Sequence, residues 1–380
     1  MNYKIIFFVL FIVTIFACNK KVSDIVEEPA IIQVDPNEGK PKNIIFLIGD
    51  GMGLGQITAG MYANGNKTNL EKFPVIGLQK SHASNKLVTD SAAAATSFAS
   101  GVKTYNGAIG VDSDTMPVPT ILEIAEKRGY KSGLVASSTI VHATPACFYS
   151  HNKYRKNYEE IAMDLANAEV DFFVGGGNKF FERRTDEENL IRKLQDKGYD
   201  IPKYVDVDLQ DVVLDYTQKF GYLTSDEDPL PQSLGRDYMI TASSMAVDYL
   251  DKSSEDGNFF LMIEGSQIDW GGHSNDSKYI ISEFIEFDKI IGNVLEFAKK
   301  DGETLVIVTA DHETGGYAIQ QESTMDSLVT AFTSNYHTAV MVPVFAYGPG
   351  SENFNGIYEN TAIFDKMKKQ LFVKNNRASN

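Results

Sequence analysis

The sequence is poor in cysteine and in basic residues, and it lacks long hydrophobic runs. Its 380 residues include only two cysteines, so a fold held together by a disulfide framework is excluded. Lys and Arg total 35 against 51 for Asp and Glu, which gives a formal net charge of −16. Nucleic-acid-binding proteins usually carry basic clusters, so we predict that this chain does not bind nucleic acid. Hydrophobic residues still make up 43% of the chain, which is enough for a globular core.

The one pronounced hydrophobic run lies at the N-terminus. Residues 5–17 contain Thr14 as their only polar residue. A membrane-spanning helix needs roughly 20 apolar residues, so the run is typical of a signal peptide. Cys18 follows the small residue Ala17 directly, which resembles a bacterial lipoprotein signal. That resemblance implies that residues 1–17 are removed and that Cys18 carries a lipid. An ordinary signal peptide with a chance cysteine is the alternative.

The segment after this signal has a different composition. Residues 18–40 hold Pro, Asp, Glu and Lys without sustained periodicity, which predicts a flexible tether. We therefore expect an exported, periplasmic protein that is anchored through its N-terminal lipid, most simply to the outer membrane. Residues 41–380 are expected to form one catalytic domain.

Within this domain, short apolar runs alternate with helical patterns. Runs of this length that are apolar on both faces predict buried parallel strands, at residues 43–48, 133–136, 171–174, 259–263, 305–308 and 340–346. Helical spacing is found at residues 91–100, 119–128, 158–168, 237–252 and 278–300. This alternation predicts an α/β fold, a three-layer α/β/α sandwich around a largely parallel sheet. The irregular segment at about 175–235 is predicted to be an insertion over the sheet.

Metal-type ligands follow three of the predicted strands. Sites in open α/β sheets lie at the carboxyl ends of strands, and carboxylates with imidazoles are transition-metal ligands. Any one of these groups alone would be more simply explained as a turn or as surface chemistry. However, the chain has only six histidines, and three of them fall near strand ends. The candidate ligands are Asp50, Glu264, Asp269, His273, Asp311, His312 and His337.

A serine lies where a nucleophile could act. Ser91 begins an alanine-rich segment that predicts a helix ending before Gly101. A helix N-terminus favours an anion, although Asp90 or Ser91 could simply cap the helix. A serine nucleophile needs a base or a metal to lower its pKa. Since no Gly-x-Ser-x-Gly motif surrounds Ser91, the candidate metal ligands are the better activator.

These motifs together resemble the bacterial and animal alkaline phosphatases, from about residue 41 to residue 372. The matching segments are NIIFLIGDGMG, VTDSAAAATSFASG, HATPA, FFLMIEGSQIDWGGH, VTADHETGG and FAYGPG. The resemblance implies hydrolysis of phosphate monoesters to an alcohol and inorganic phosphate through a phosphoserine intermediate, with an alkaline pH optimum. It also implies two zinc ions, one magnesium ion and a homodimer.

The resemblance assigns a role to each matching residue. Ser91 corresponds to the phosphorylated nucleophile and Arg155 to the arginine that clamps the phosphate. One zinc ion is implied at Asp269, His273 and His337, and the second at Asp50, Asp311 and His312. The magnesium ion is implied at Asp50, Thr144 and Glu264.

Two positions depart from the enteric bacterial pattern. His142 stands where those enzymes have Asp, and Trp270 stands where they have Lys, a combination that resembles another bacterial subgroup. Both residues are expected near the substrate and the magnesium site. The segment between His312 and His337 is also short, so the crown domain that some family members place there is expected to be reduced.

Three other functions remain open from the sequence. A related phosphodiesterase or a sulfatase would share the sheet and the metals, although Ser91-Ala92-Ala93 lacks the sulfatase pattern. A non-catalytic lipoprotein that captures phosphate would share the ligands, but it would have no use for Ser91.

Overall fold

The structure is a computed structural model that describes residues 40–254 and 257–371. The predicted signal peptide, the predicted lipid site at Cys18 and all but the last residue of the predicted tether lie outside these residues. Within the described residues, no helix is both long and apolar enough to cross a membrane.

Fourteen strands are present in the described part of the chain. They are β1 (Asn43–Gly49), β2 (Val75–Lys80), β3 (Lys131–Thr139), β4 (Phe172–Gly176), β5 (Tyr199–Asp200), β6 (Lys219–Leu223), β7 (Phe259–Gly265), β8 (Thr304–Ala310), β9 (Glu313–Thr314), β10 (Ala318–Ile319), β11 (Thr330–Ala331), β12 (His337–Thr338), β13 (Val342–Tyr347) and β14 (Gly356–Glu359). All six predicted strands are found, with shifts of a few residues at their ends.

Eleven α-helices are described as well. They are α1 (Leu54–Ala63), α2 (Ser91–Ser100), α3 (Ile121–Glu126), α4 (Ala143–Ala146), α5 (Tyr158–Asn167), α6 (Lys179–Glu182), α7 (Leu190–Asp196), α8 (Tyr238–Ser253), α9 (Gln267–His273), α10 (Ser277–Asp301) and α11 (Thr361–Leu371). The five predicted helices correspond to α2, α3, α5, α8 and α10.

Ten strands form one sheet in the order β14-β2-β13-β8-β1-β7-β3-β4-β6-β5. Helices cover both faces of the sheet. The side chains of β1 accordingly alternate between two separate hydrophobic cores. Ile44, Phe46 and Ile48 pack with α2, α3, α5 and α11, whereas Ile45 and Leu47 pack with α1, α8 and α10. The predicted three-layer α/β/α sandwich is thus confirmed.

One prediction about this sheet was wrong. The run at residues 340–346 was expected to be a parallel strand, but β13 is antiparallel to both of its neighbours, β8 and β2. Residues 311–341 contain no helix that returns the chain to the opposite edge of the sheet. The chain therefore re-enters the sheet at the edge where β8 ends, and β13 must run in the reverse direction.

The segment at 175–235 lies partly where it was expected. Its helices α6 and α7 pack over one face of the sheet with α5. Its strands β5 and β6, however, extend the edge of the sheet beside β4. Residues 313–338, where a crown domain would be inserted, contain two small strand pairs, β9 with β12 and β10 with β11.

Candidate metal centre and nucleophile

The candidate ligands converge because four adjacent central strands, β8, β1, β7 and β3, are parallel and end at the same edge of the sheet. Asp50 follows β1, and Asp311 follows β8. Glu264 lies near the end of β7, and α4, which contains Thr144, follows β3. Gly51 allows the chain after β1 to pass close to the backbone of Asp269. Its φ is +71°, and a Cβ atom there would lie 2.7 Å from the Cα atom of Asp269.

The first cluster consists of Asp50, Asp311 and His312, all with 0% of their surface exposed. Each offers a ligand atom within 4.8 Å of the others. Asp311 Oδ1 accepts hydrogen bonds from the backbone N–H groups of Gly51 (3.0 Å) and His312 (2.9 Å). In contrast, Asp50 Oδ1, Asp311 Oδ2 and His312 Nε2 are buried without a hydrogen-bond partner. Three unsatisfied buried acceptors in one place fit a bound cation.

The second cluster consists of Asp269, His273 and His337. The Nδ1 atoms of His273 and His337 contact the backbone carbonyls of Asn335 and Thr89, each at 2.8 Å. A carbonyl only accepts, so each Nδ1 must carry the proton, and a neutral ring then has a lone pair on Nε2. The two Nε2 atoms lie only 3.0 Å apart, and Asp269 Oδ2 lies 3.2 Å from His273 Nε2. Such converging lone pairs fit a zinc ion.

The third cluster shares Asp50 with the first and adds Glu264 and His142. Glu264 Oε2 accepts hydrogen bonds from Ser266 (2.5 Å) and Ser138 (3.3 Å), while Oε1 is buried without a partner. Thr144 is fully buried in α4. From the sequence, His142 is expected near the substrate and the magnesium site. The structure brings one of its ring nitrogens within 4.8 Å of carboxylate oxygens of Asp50 and Glu264.

Burial controls the charge of these groups. It raises the pKa of Glu264 and of Asp311 to about 7, and burial with three neighbouring carboxylates raises the pKa of Asp50 well above its usual range. Burial also lowers the pKa of His142 to about 3, with a further contribution from the positive charge of Arg155. The imidazole is therefore neutral, and the carboxylates ionise together only when a cation offsets their repulsion.

Ser91 lies at the first position of α2, with 2% of its surface exposed. The helix is capped by Asp90, whose side chain accepts a hydrogen bond from Ala93 N at 3.0 Å. Ser91 is therefore not used as the cap. Its Oγ–H instead donates to Asp50 Oδ2 at 3.3 Å, which places the hydroxyl beside the first and third clusters.

Arg155 is held on two sides. One amino group of its guanidinium donates to Asp90 Oδ2 at 3.0 Å, and the other lies 3.3 Å from His142 Nε2. Trp270 approaches the His142 ring edge-to-face, with centroids 6.0 Å apart. These contacts orient the guanidinium fork next to the N-terminus of α2, where a phosphate would contact both.

Sequence reasoning missed the supporting roles of two residues. Thr314 donates a hydrogen bond to Asp269 and contacts His312 Nδ1 at 3.2 Å. Asp90 was considered only as a helix cap, although it also orients Arg155. Thr314 lies inside the VTADHETGG segment, but no local pattern shows which side chain it contacts.

A sheet that brings three clusters of carboxylates and imidazoles beside a helix-terminal serine and an arginine defines a metal-dependent hydrolase of the phosphoryl-transfer class. The family model described as "Alkaline phosphatase" matches residues 41–331 and 323–373. The chain belongs to the alkaline phosphatase family, and it is an enzyme of that family.

Characterised relatives cover most of the chain. Alkaline phosphatase 3 of Bacillus subtilis is 35% identical, over 88% of this chain and 90% of its own length. Alkaline phosphatase of Escherichia coli is 31% identical, over 92% of this chain and 90% of its own length. The solved structure of alkaline phosphatase from the Antarctic bacterium TAB5 is 44% identical, with a TM-score of 0.82 over 88% of this chain and 99% of that one. A variant of the TAB5 enzyme in which a histidine is replaced by aspartate has Mg bound in its M3 site.

Proposed function

We propose that this protein hydrolyses phosphate monoesters to an alcohol and inorganic phosphate through a phosphoserine intermediate on Ser91. The observation that carries the proposal is the contact between Ser91 Oγ and Asp50, a carboxylate shared by two metal-type clusters. A serine at this position can be deprotonated beside a cation and can then attack phosphorus. A protein that only captures phosphate would need neither an activated serine nor its attack on phosphorus.

The donor sets indicate which ions would bind. Mixed imidazole and carboxylate ligands suit zinc, and oxygen ligands suit magnesium. Zinc would be held by Asp269, His273 and His337 and, at the second position, by Asp50, Asp311 and His312, whereas magnesium would be held by Asp50, Thr144 and Glu264. When bound, the zinc ions supply Lewis-acid stabilisation of the charge that develops on the attacking and leaving oxygens.

The chain itself supplies positioning and anion binding. Asp50 accepts the hydrogen bond of the Ser91 hydroxyl and so directs Oγ toward the clusters. The N-terminus of α2 and the Arg155 fork neutralise phosphate oxygens next to Ser91. Because Asp90 and His142 hold the guanidinium from two sides, little conformational freedom is lost when phosphate binds.

The activity should rise into the alkaline range. Metal ligands must be deprotonated, and in the metal-free protein the pKa values of Asp311 and Glu264 are raised to about 7. Protons compete with the ions below that value, so ion affinity increases as the pH rises through about 7 and is lost as it falls.

The proposed activity can be tested by comparing hydrolysis of 4-nitrophenyl phosphate with that of its bis-ester, together with the metal content of the protein. We expect a strong preference for the monoester, with zinc and magnesium bound. A preference for the diester would indicate a phosphodiesterase, and turnover of a sulfate ester alone would indicate a sulfatase. If the protein bound phosphate without turning over any ester, it would be a binding protein.

The third cluster leads to a separate prediction. Replacing His142 with Asp exchanges a neutral imidazole for a carboxylate within 4.8 Å of Asp50 and Glu264. Magnesium prefers oxygen ligands and negative charge, so its affinity should increase by about tenfold or more. The TAB5 variant with a histidine-to-aspartate replacement has Mg at its M3 site, which supports this expectation.

Isothermal titration with magnesium would measure the difference. His142→Asn is the matched control, because it offers an amide oxygen without the charge. Equal magnesium affinity in the aspartate variant and the wild type would refute the assignment of His142 to this site.

We also propose that the mature protein begins at Cys18, is lipid-anchored in the periplasm and forms a homodimer. The hydrophobic run before Cys18 supports the anchor. Replacing Cys18 with Ser should release the protein from the membrane fraction into the soluble periplasmic fraction. A Cys18→Ser protein that stayed in the membrane fraction would contradict the lipid anchor, and a monomeric mass in solution would contradict the dimer.

A further inference from the structure

Three aromatic rings form a continuous stack from the buried metal centre to the surface. The His312 and His337 rings lie 3.5 Å apart with an interplanar angle of 18°. The ring of Tyr336 packs on the other side, 4.5 Å from His337 at 8°. His312 is fully buried, whereas Tyr336 is 48% exposed. Tyr336 is therefore the outermost ring of a column whose other two members are candidate zinc ligands.

The outer end of the column lies on the side from which a leaving group would depart. Ser91 is 2% exposed and contacts Asp50, at the buried end of the centre. In-line displacement sends the leaving oxygen away from the attacking one, hence toward the Asp269, His273 and His337 cluster. That cluster is open to solvent, because 34% of the His273 side chain is exposed. Tyr336 borders this opening, with its ring 5.8 Å from that of His273.

Tyr336 is held in place by hydrogen bonds of its backbone and by the stacking of one face of its ring on His337. Tyr336 N donates to Ser334 Oγ at 2.9 Å, and its carbonyl accepts from Gly315 N at 2.9 Å. The preceding residue, Asn335, accepts the hydrogen bond of His273 Nδ1. An aromatic ring held in this way offers a flat surface that loses little conformational entropy when a second ring binds.

We propose that Tyr336 is a specificity-determining residue whose outer face stacks on planar aromatic leaving groups, so that aryl phosphate monoesters are favoured over alkyl ones. This inference rests on the proposed monoesterase function. It adds a substrate class to the same site and assigns a recognition role to a residue that is not itself a candidate metal ligand. An alkyl leaving group has no π-face and gains no stacking contact with this ring.

The test compares kcat/KM for 1-naphthyl phosphate and for glycerol 2-phosphate in holoenzyme variants. Tyr336→Leu keeps an apolar side chain against His337 but removes the aromatic face, and Tyr336→Phe keeps that face. The leucine variant should lose about two- to tenfold in kcat/KM for the naphthyl ester and stay within about twofold for the glycerol ester. The phenylalanine variant should resemble the wild type for both, and zinc content should be the same in all three.

Tyr216 supplies the matched control. It is 36% exposed and lies next to Asp248 and Lys252, shortly before the start of β6 and thus at the edge opposite the metal centre. Tyr216→Leu should leave the aryl-to-alkyl ratio unchanged.

Two results would overturn the inference. An unchanged ratio in Tyr336→Leu would show that the outer face does not contact the substrate. An equal loss for both esters, with a fall in zinc content, would show that the ring only supports His337. A wild-type protein that hydrolyses neither ester would instead overturn the proposed function, and this inference with it.

Discussion

Ser91→Ala should lower kcat/KM for phosphate monoesters by about a thousandfold or more while leaving the bound metals in place. The physical reason is that Ser91 supplies the atom that becomes phosphorylated, and an alanine offers no replacement for it. Its Oγ contributes one hydrogen bond to Asp50, and the alanine variant keeps every carboxylate and imidazole of the three clusters. Activity and metal content can therefore be separated at this position.

Ser97→Ala is the matched control for this experiment. Ser97 lies in the same helix, is buried, and donates its hydroxyl to the carbonyls of Ala93 and Val102 rather than to a ligand of the centre. We expect a modest loss of stability, about 1 kcal/mol, and retained turnover. Acid-quenched enzyme should contain phosphoserine in the wild type and in Ser97→Ala only. Wild-type turnover by Ser91→Ala would exclude Ser91 as the nucleophile.

Asp50→Asn should have an equally large effect, but through loss of the ions. Asp50 is the one carboxylate common to two clusters, so its replacement weakens both sites at once. Loss of a direct ligand should cost at least the roughly tenfold to hundredfold in metal affinity that is found for residues that merely orient a ligand. Metal analysis after dialysis should show the zinc of the first cluster and the magnesium both depleted. Asp269→Asn, which touches only the second cluster, should deplete one zinc.

Asp50→Asn should change the thermal stability in opposite directions with and without metal. Burial and three neighbouring carboxylates raise the pKa of Asp50 in the folded, metal-free protein. A raised pKa means that ionisation at pH 8 costs folding free energy, a cost that is absent below the unfolded pKa. Asn removes that charge, so the Tm of the metal-free variant should equal or exceed that of the metal-free wild type. With metals added, the wild type should be the more stable protein.

Thermal melts at pH 8 in chelator and in zinc plus magnesium would measure both effects. A metal-free Asp50→Asn protein that melts well below the metal-free wild type would show that Asp50 stabilises the fold through contacts other than metal binding. Equal metal contents in Asp50→Asn and Asp269→Asn would contradict the shared position of Asp50.

Much of the fold could be predicted because its central strands are buried on both faces. Runs such as residues 44–48 and 305–308 are apolar throughout, and such short continuous runs are characteristic of parallel strands under two helical layers. The strands that were missed lack this signal. Only two residues of β2 are buried, and β5 has only two residues in all. Near the edges of a sheet the pattern becomes too weak or too short to distinguish from a loop.

The candidate site was predictable to a similar degree. Asp50, Glu264 and Asp311 stand out because a carboxylate at the end of an apolar strand is unusual, and Ser91 stands out through the helix that it begins. His142 was expected near the magnesium site, but the direct approach of its ring nitrogen to Asp50 and Glu264 and the stacking of Tyr336 on His337 were not predictable. Both depend on how the side chains are oriented in the folded protein, which no local sequence pattern encodes.

The sequence by itself determined the element types, the chemistry of the ligands and their placement at strand ends. Those are local properties, set by periodicity over a few residues and by the side chains themselves. Only the tertiary structure decided that β8, β1, β7 and β3 lie side by side, that β13 runs in reverse, and that Asp50 serves two clusters. Strand order arises from packing between residues that are far apart in the chain, and no local pattern encodes it. The hydrogen bond from Gly51 to Asp311, for example, joins residues that are 260 positions apart.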